Sequence, residues 1–239
     1  PSAREERAAH GAAVHALLEW SQTHGWAEPS PELARRHAVA AGLCGSRGGT
    51  GSSGSAEGKI DAEALLTPVR GWLGSRLRRE RIDADGARVR AEAPLLLGIG
   101  DTVLRGSIDL LVERGGEPPL VVDYKTDRLG ADDPAGRAAD YEVQRTIYAL
   151  AVAEASGAEE VEVAYVFLER PDEPVLTRLG PEEMTAGRER LAASIARIGV
   201  GEFPAAPPED RSWDLCGGCP ALGRLCAGPR RLETGGEVV

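Results

Sequence analysis

Two aspartates and a lysine stand out near the middle of the sequence. Asp109 lies inside the apolar run SIDLL (residues 107–111), and Asp123 and Lys125 close the run VVDYKT (121–126). Strand side chains alternate between faces, so Asp123 and Lys125 leave together from one end of an apolar strand. A carboxylate flanked by Ile and Leu is rare unless it is paired or bound to a metal. Thirteen residues lie between Asp109 and Asp123, a spacing that suits adjacent antiparallel strands with both carboxylates on one face. Two hard oxygen ligands completed by water describe a Mg²⁺ or Mn²⁺ site. A salt bridge from Asp109 to Lys125 is the plain alternative. A lysine on that face can position or deprotonate an attacking water and offset charge on a phosphoryl oxygen. A bound cation lowers the pKa of its water. Acid, acid, lysine and metal are the minimum set for hydrolysing a phosphodiester.

These residues need elements to hold them. Residues 4–20 form an Ala-rich helix with Val14, Leu17 and Leu18 as its apolar stripe. A second helix starts at Pro31, a favoured first position. The stretch GSRGGTGSSGSAEG (45–58) is a Gly/Ser-rich loop. A third helix over about 61–79 carries Leu65, Leu66, Val69, Trp72, Leu73 and Leu77 at helical spacing. After Asp85-Gly86 the period changes. ARVRAEAPLLLGI, TVLRGSIDLLVE and PLVVDYKT read as a meander of three strands joined by short turns. A long helix over 137–155, capped by Gly157, follows. EVEVAYVFLE supplies a fourth strand, PVLTRL a fifth, and a last helix runs over 181–198. The order predicts an α/β fold, a mixed β-sheet flanked by helices (αβββαβ) with extra N-terminal helices. Three parts are expected: an N-terminal helical part (1–84), a core (85–200) and a Pro-rich, Cys-rich tail (201–239).

With 239 residues the chain can bury one large core, with room for a small appendage. It has no apolar run of about eighteen residues that could span a membrane, and its start, PSAREERAAH, lacks the apolar stretch of a signal peptide. Without an initiator Met it reads as a piece of a longer chain. Its net charge of −10 and pI near 5.0 give no bulk attraction for nucleic acid. DNA would be held by a local basic surface, by metal ions or by an attached domain. Three of the four cysteines crowd into CGGCPALGRLC (216–226). This is a metal or cluster pattern of the cytoplasm rather than a secreted disulfide framework. The spacing C-x₂-C-x₆-C suits zinc or an iron–sulfur cluster alike.

GSIDLL followed by VVDYKT resembles the PD-(D/E)XK nucleases, and within them the RecB-like branch that ends the AddAB and RecBCD helicase–nucleases. GAAVH is similar to the family's Gly-x-x-x-His, DYEVQRTIYALA to its Gln-x-x-x-Tyr helix, and AEAPLLL to the strand that carries its glutamate, here Glu92. The matches run in order from His15 to Cys226. The resemblance implies a restriction-endonuclease-like core and a Mg²⁺- or Mn²⁺-dependent deoxyribonuclease. Its metal ligands would be His15, Asp109, Asp123 and the Tyr124 backbone carbonyl. Lys125, Gln144 and Tyr148 would join the two aspartates in the reaction. The implied activity is exonuclease cleavage of single-stranded DNA in double-strand break repair and recombination, in partnership with a helicase motor. Cys216, Cys219 and Cys226 would hold a structural [4Fe–4S] cluster, with zinc as the alternative. The fourth ligand would be Cys44 or, preferably, a cysteine upstream of Pro1. Two other classes compete: a catalytically inactive nuclease-fold module that binds DNA or scaffolds a repair complex, and a zinc or iron–sulfur interaction domain whose acids are structural.

Overall fold

Along the strand over 88–99 the apolar residues alternate strictly. Ala93, Leu95, Leu97 and Ile99 are buried, while Pro94, Leu96 and Gly98 are exposed. That period lays one face of a sheet on a helix and leaves the other open. In the computed structural model this strand, β1 (Arg88–Ile99), forms a hairpin with β2 (Thr102–Glu113), and Gly100 takes the positive φ of 56° that the tight turn requires. β3 (Leu120–Lys125) pairs antiparallel with β2, β4 (Val161–Phe167) lies parallel to β3, and β5 (Val175–Leu179) closes the sheet antiparallel to β4. The sheet is mixed, in the order β1-β2-β3-β4-β5, as the sequence predicts. The structure describes residues 3–43, 60–204, 207, 216, 219–226 and 228; the loop over 45–58 and Cys44 lie outside them. The chain divides into two compact units, Pro1–Ala192 and Ala193–Val239.

Helices α1 (Ala3–Thr23), α2 (Pro31–Ala40) and α3 (Ala62–Gly74) cover one face of the sheet. Val14 and Leu17 of α1 and Leu66, Val69 and Trp72 of α3 form a single core with Leu110, Val122, Tyr124 and Val166 of the strands. Each such side chain, fully buried, contributes about 1.5–3 kcal/mol. Helix starts follow local chemistry. Ser30 accepts a hydrogen bond from the Leu33 N–H ahead of Pro31, and Asp61 accepts one from the Glu63 N–H.

Two helices differ from the expectation, each for a visible reason. The helix predicted over 61–79 stops at Gly74, Ser75 turns extended (ψ 152°), and a π-helical turn follows over Arg78–Ile82. The nearly buried Arg78 side chain donates from Nε to the Leu73 carbonyl at 2.7 Å, the oxygen that a continuing α-helix would offer to residue 77. The helix predicted over 137–155 is three pieces: α4 (Pro134–Ala138), a 3₁₀ turn (Ala139–Tyr141) and α5 (Glu142–Ser156). Here the Tyr141 carbonyl accepts from the Tyr165 hydroxyl at 2.7 Å, and Tyr141 is the residue that caps α5. Gly157 ends α5 at φ 73°, in the left-handed conformation that the sequence predicts for it.

α5 lies against β1 and β4. On β1 the side that is buried changes at Glu92: Val89 and Ala91 pack on the core under α1 and α3, whereas Ala93 and Leu95 lie with Ala151 and Val152 of α5. α6 (Pro181–Gly199) approaches α5 so closely that a Cβ on Gly187 would stand 2.5 Å from Thr146 Cγ2. Gly187 is therefore the residue that lets the two helices meet. Among the described residues no helix is long and apolar enough to cross a membrane.

Candidate metal-dependent active site

The register carries the acids into one row. β1 and β2 pair as Ala91↔Leu110 and Ala93↔Ile108, which puts Glu92 opposite Asp109. β2 and β3 pair up to Leu110↔Val122, so the next step brings Asp109 opposite Asp123. In the same row Asp123 is the register partner of Tyr165 on β4. Past that last β2–β3 pair the ladder gives way to a side chain: the Tyr124 N–H donates to Asp109 Oδ2 at 2.7 Å. A carboxylate thus fills the place of a backbone carbonyl, and Asp109 becomes reachable from both layers.

From the α1 side comes His15, with Nδ1 3.3 Å from Asp109 Oδ1 and the ring edge-on to Tyr124 at 6.1 Å between centroids. α1 can run this close because Gly11 presents no side chain: a Cβ there would meet Thr126 Oγ1 at 3.0 Å. Ligand atoms of His15, Glu92 and Asp109 lie within 4.8 Å of one another, the spread that a single cation spans. Glu92 reaches this point through strain. Its φ of 44° is left-handed in the middle of a strand, although the pairs on either side keep one register. For a residue with a Cβ this costs on the order of 1–3 kcal/mol.

From the α5 side a closed ring of contacts holds Asp123 and Lys125. Asp123, 3% exposed, accepts at Oδ1 from the Tyr148 hydroxyl at 2.8 Å. Tyr148 accepts from Gln144 Nε2 at 2.8 Å, and Gln144 Oε1 accepts from Lys125 Nζ at 2.8 Å. The ring closes where Lys125 Nζ lies 2.6 Å from Asp123 Oδ2. That last approach is an ion pair without hydrogen-bond alignment, and Asp123 Oδ2 remains a buried oxygen with no hydrogen-bond donor. Lys125 pairs with Asp123; the Asp109–Lys125 salt bridge weighed as the plain alternative is not what forms.

The electrostatics call for a cation. Burial raises the Asp123 pKa, Lys125 opposes that, and Asp109 adds to it, leaving a net increase. His15 is also raised: burial disfavours its charged ring, but the hydrogen bond to Asp109 and the attraction of Asp109, Asp123 and Glu92 outweigh burial. Tyr148 is pushed above the normal tyrosine range by burial and by Asp123, so it stays a donor. A strained glutamate, a buried orphan oxygen and a histidine among carboxylates fit a divalent cation.

Of the residues singled out in the sequence, His15, Asp109, Asp123, Tyr124, Lys125, Gln144 and Tyr148 all meet here, with Tyr124 contributing its N–H to Asp109 and its ring to the core. Glu92, absent from the ligand set that the resemblance implies, joins His15 and Asp109 here, and nothing local in the sequence signals its left-handed φ. Cys216, Cys219 and Cys226 belong to the second compact unit, where the Cys219 N–H donates to the Cys216 carbonyl at 3.0 Å and the Cys226 N–H to the Ala221 carbonyl at 3.0 Å. Among the described residues, the group of three close ligand atoms is His15, Glu92 and Asp109.

Two outcomes follow. Glu92→Gly removes a ligand and the strain together. Mn²⁺ affinity by calorimetric titration should fall, while metal-free stability in urea should hold or rise, since relief of about 1–3 kcal/mol exceeds the roughly 1 kcal/mol entropic cost of glycine. Unchanged Mn²⁺ affinity would remove Glu92 from the site. His15 must be neutral to bind metal, and its raised pKa keeps it protonated to higher pH than a free histidine. Mn²⁺ affinity should therefore climb by up to about tenfold per pH unit below that pKa and level off above it. His15→Asn should flatten the profile; equal affinity for the unsubstituted chain from about pH 6 to pH 8 would contradict a histidine ligand.

The sequence profile of the PD-(D/E)XK nuclease superfamily matches residues 1–226. No curated protein matches the chain in sequence. Among solved structures, a candidate exonuclease from Eubacterium rectale superposes with a TM-score of 0.46 at 12% identity, over 86% of this chain and 78% of that one. The protein SSO0001 does so with a TM-score of 0.36 at 14% identity, over 84% and 79%. With nearly its whole length matched by the family profile, this chain belongs to the PD-(D/E)XK nuclease superfamily.

Proposed function

We propose that this chain is a divalent-metal-dependent deoxyribonuclease of the RecB-like branch, cutting single-stranded DNA as an exonuclease fed by a helicase motor in double-strand break repair. The carrying observation is the row Glu92, Asp109 and Asp123 with Lys125 held beside it by Gln144. In this reading residues 1–84 supply the histidine helix, 85–200 the strands and helix of the chemistry, and 201–239 the cysteine tail.

His15, Glu92, Asp109 and Asp123 would hold the cation, with the Tyr124 carbonyl beside them. A Mg²⁺ or Mn²⁺ ion there supplies positive charge to a phosphodiester oxygen and acidifies water. Lys125 brings its ammonium to the scissile phosphate, steadies the attacking water and offsets the charge that grows on phosphorus-bound oxygen. Gln144 orients that ammonium, and Tyr148 fixes the Asp123 carboxylate through its hydroxyl. A Cys216-Cys219-Cys226 [4Fe–4S] cluster, completed by Cys44 or by an upstream cysteine, is proposed as a structural staple of the tail. Its support is the CxxC spacing and the backbone turn that draws Cys219 onto Cys216.

The test is Mn²⁺-dependent cleavage of end-labelled single-stranded DNA. Asp123→Ala and Lys125→Ala should each slow cleavage by about 10²–10³-fold or more, the usual loss when charge stabilisation of a transition state is removed. Cleavage equal to the unsubstituted chain in both variants would remove these residues from the reaction.

A further inference from the structure

Lys125 is one of only two lysines, with Lys59, among 28 Lys and Arg residues. Its surroundings are built to a purpose that the metal site does not account for. We propose that Tyr141 and Tyr165, braced by Asp127, form an aromatic box that holds the Lys125 ammonium in its working position. Both are positioning residues for the hydrolysis proposed above, and the inference rests on that reading.

The geometry is specific. Lys125 Nζ sits 3.9 Å above the centroid of the Tyr141 ring and 5.2 Å from that of Tyr165. The two rings stand 5.4 Å apart, tilted by 43°. Each is fastened. The Tyr141 hydroxyl donates to the Asp127 carboxylate, and the Tyr165 hydroxyl donates to the Tyr141 carbonyl at 2.7 Å. Burial, followed by Asp127, raises the Tyr141 pKa, so its hydroxyl remains a donor. Tyr165 is fully buried and shares the row of Asp123, so its place is set by the sheet register itself. The break that ends α4 and restarts the helix as α5 falls at Tyr141. The interruption turns this ring over the lysine.

An ammonium has three N–H donors and no acceptor. Gln144 takes one, and the ring faces attract the charge without offering a basic lone pair. Asp123 Oδ2 faces a second, which becomes available to a substrate oxygen when that carboxylate turns to a cation. Asp123 Oδ2, 2.6 Å away, is the anionic partner of the ammonium in the metal-free chain. When that carboxylate serves a cation, Gln144 and the box keep the ammonium in place.

The test uses the full chain labelled with ¹³C-lysine, which gives two ε-methylene signals; Lys59→Arg assigns them. In the unsubstituted chain the Lys125 signal should lie upfield of the Lys59 signal, shifted by the ring currents. Tyr141→Phe should keep that shift and Tyr141→Leu should lose most of it, with folding monitored by circular dichroism. In Mg²⁺-dependent cleavage, Tyr141→Leu should lower kcat by about tenfold, the rate equivalent of a desolvated cation–π contact. KM for DNA and calorimetric Mn²⁺ affinity should stay within about twofold, and Tyr141→Phe should restore most of the rate. Coincident lysine signals in the unsubstituted chain would overturn the box even if Tyr141→Leu does not fold. Equal loss in Phe and Leu would assign the effect to the hydroxyl and overturn it as well. An upfield signal in a chain that cuts no DNA under any metal would defeat the nuclease reading, and with it the positioning role, while leaving the box as a structural feature.

Discussion

A carboxylate that is 3% exposed, at the end of an apolar strand, is the constraint on which this architecture turns. Asp123 follows Val121 and Val122 and sits beneath α5, and removing its charge from water is expensive unless an opposite charge comes to meet it. One meets it directly: the Lys125 ammonium. Asp109, opposite in the row, adds negative charge rather than relieving it. Three acids are thus brought together against their mutual repulsion, with one lysine and one histidine among them. Burial first, and then Asp109, raises the Asp123 pKa, while the surrounding carboxylates raise that of His15 against its own burial.

The layers around the row can be read as supports for it. α1 supplies His15 and is allowed close by Gly11, and α5 supplies Gln144 and Tyr148, with Gly187 letting α6 press against its back. Between them the β2–β3 ladder ends at Leu110↔Val122, and the Asp109 side chain takes over the pairing by accepting the Tyr124 N–H. The parting of the two strands leaves Asp109 bridging them through its side chain. The net charge of −10 means that the surface as a whole offers a polyanion no bulk attraction.

Much of this was legible in the amino-acid order. The strand residues around Asp109 and Asp123 carry a clean apolar pattern, so their spacing alone sets them opposite each other, and the turn residues between the strands leave little freedom in register. Gly157 at a helix end and Pro31 at a helix start are equally local signals. What escaped is what depends on partners distant in sequence. Glu92 adopts a left-handed backbone where its carboxylate comes within 4.8 Å of ligand atoms of Asp109 and His15, residues distant in sequence, and no neighbour in sequence announces that. The stop at Ser75 reflects Arg78 capturing the Leu73 carbonyl, and the break at Tyr141 reflects Tyr165, 24 residues away. In each case a side chain competes with the helix ladder, and helical periodicity is blind to such competition.

The most direct test of the account is the position of a metal. Crystals soaked in Mn²⁺ and measured at its absorption edge should show one anomalous peak bounded by His15, Glu92, Asp109 and Asp123, with the Lys125 ammonium still against Gln144. A peak away from that row, or none while Asp123 keeps its ion pair with Lys125, would contradict the claim that these buried acids exist to share a cation.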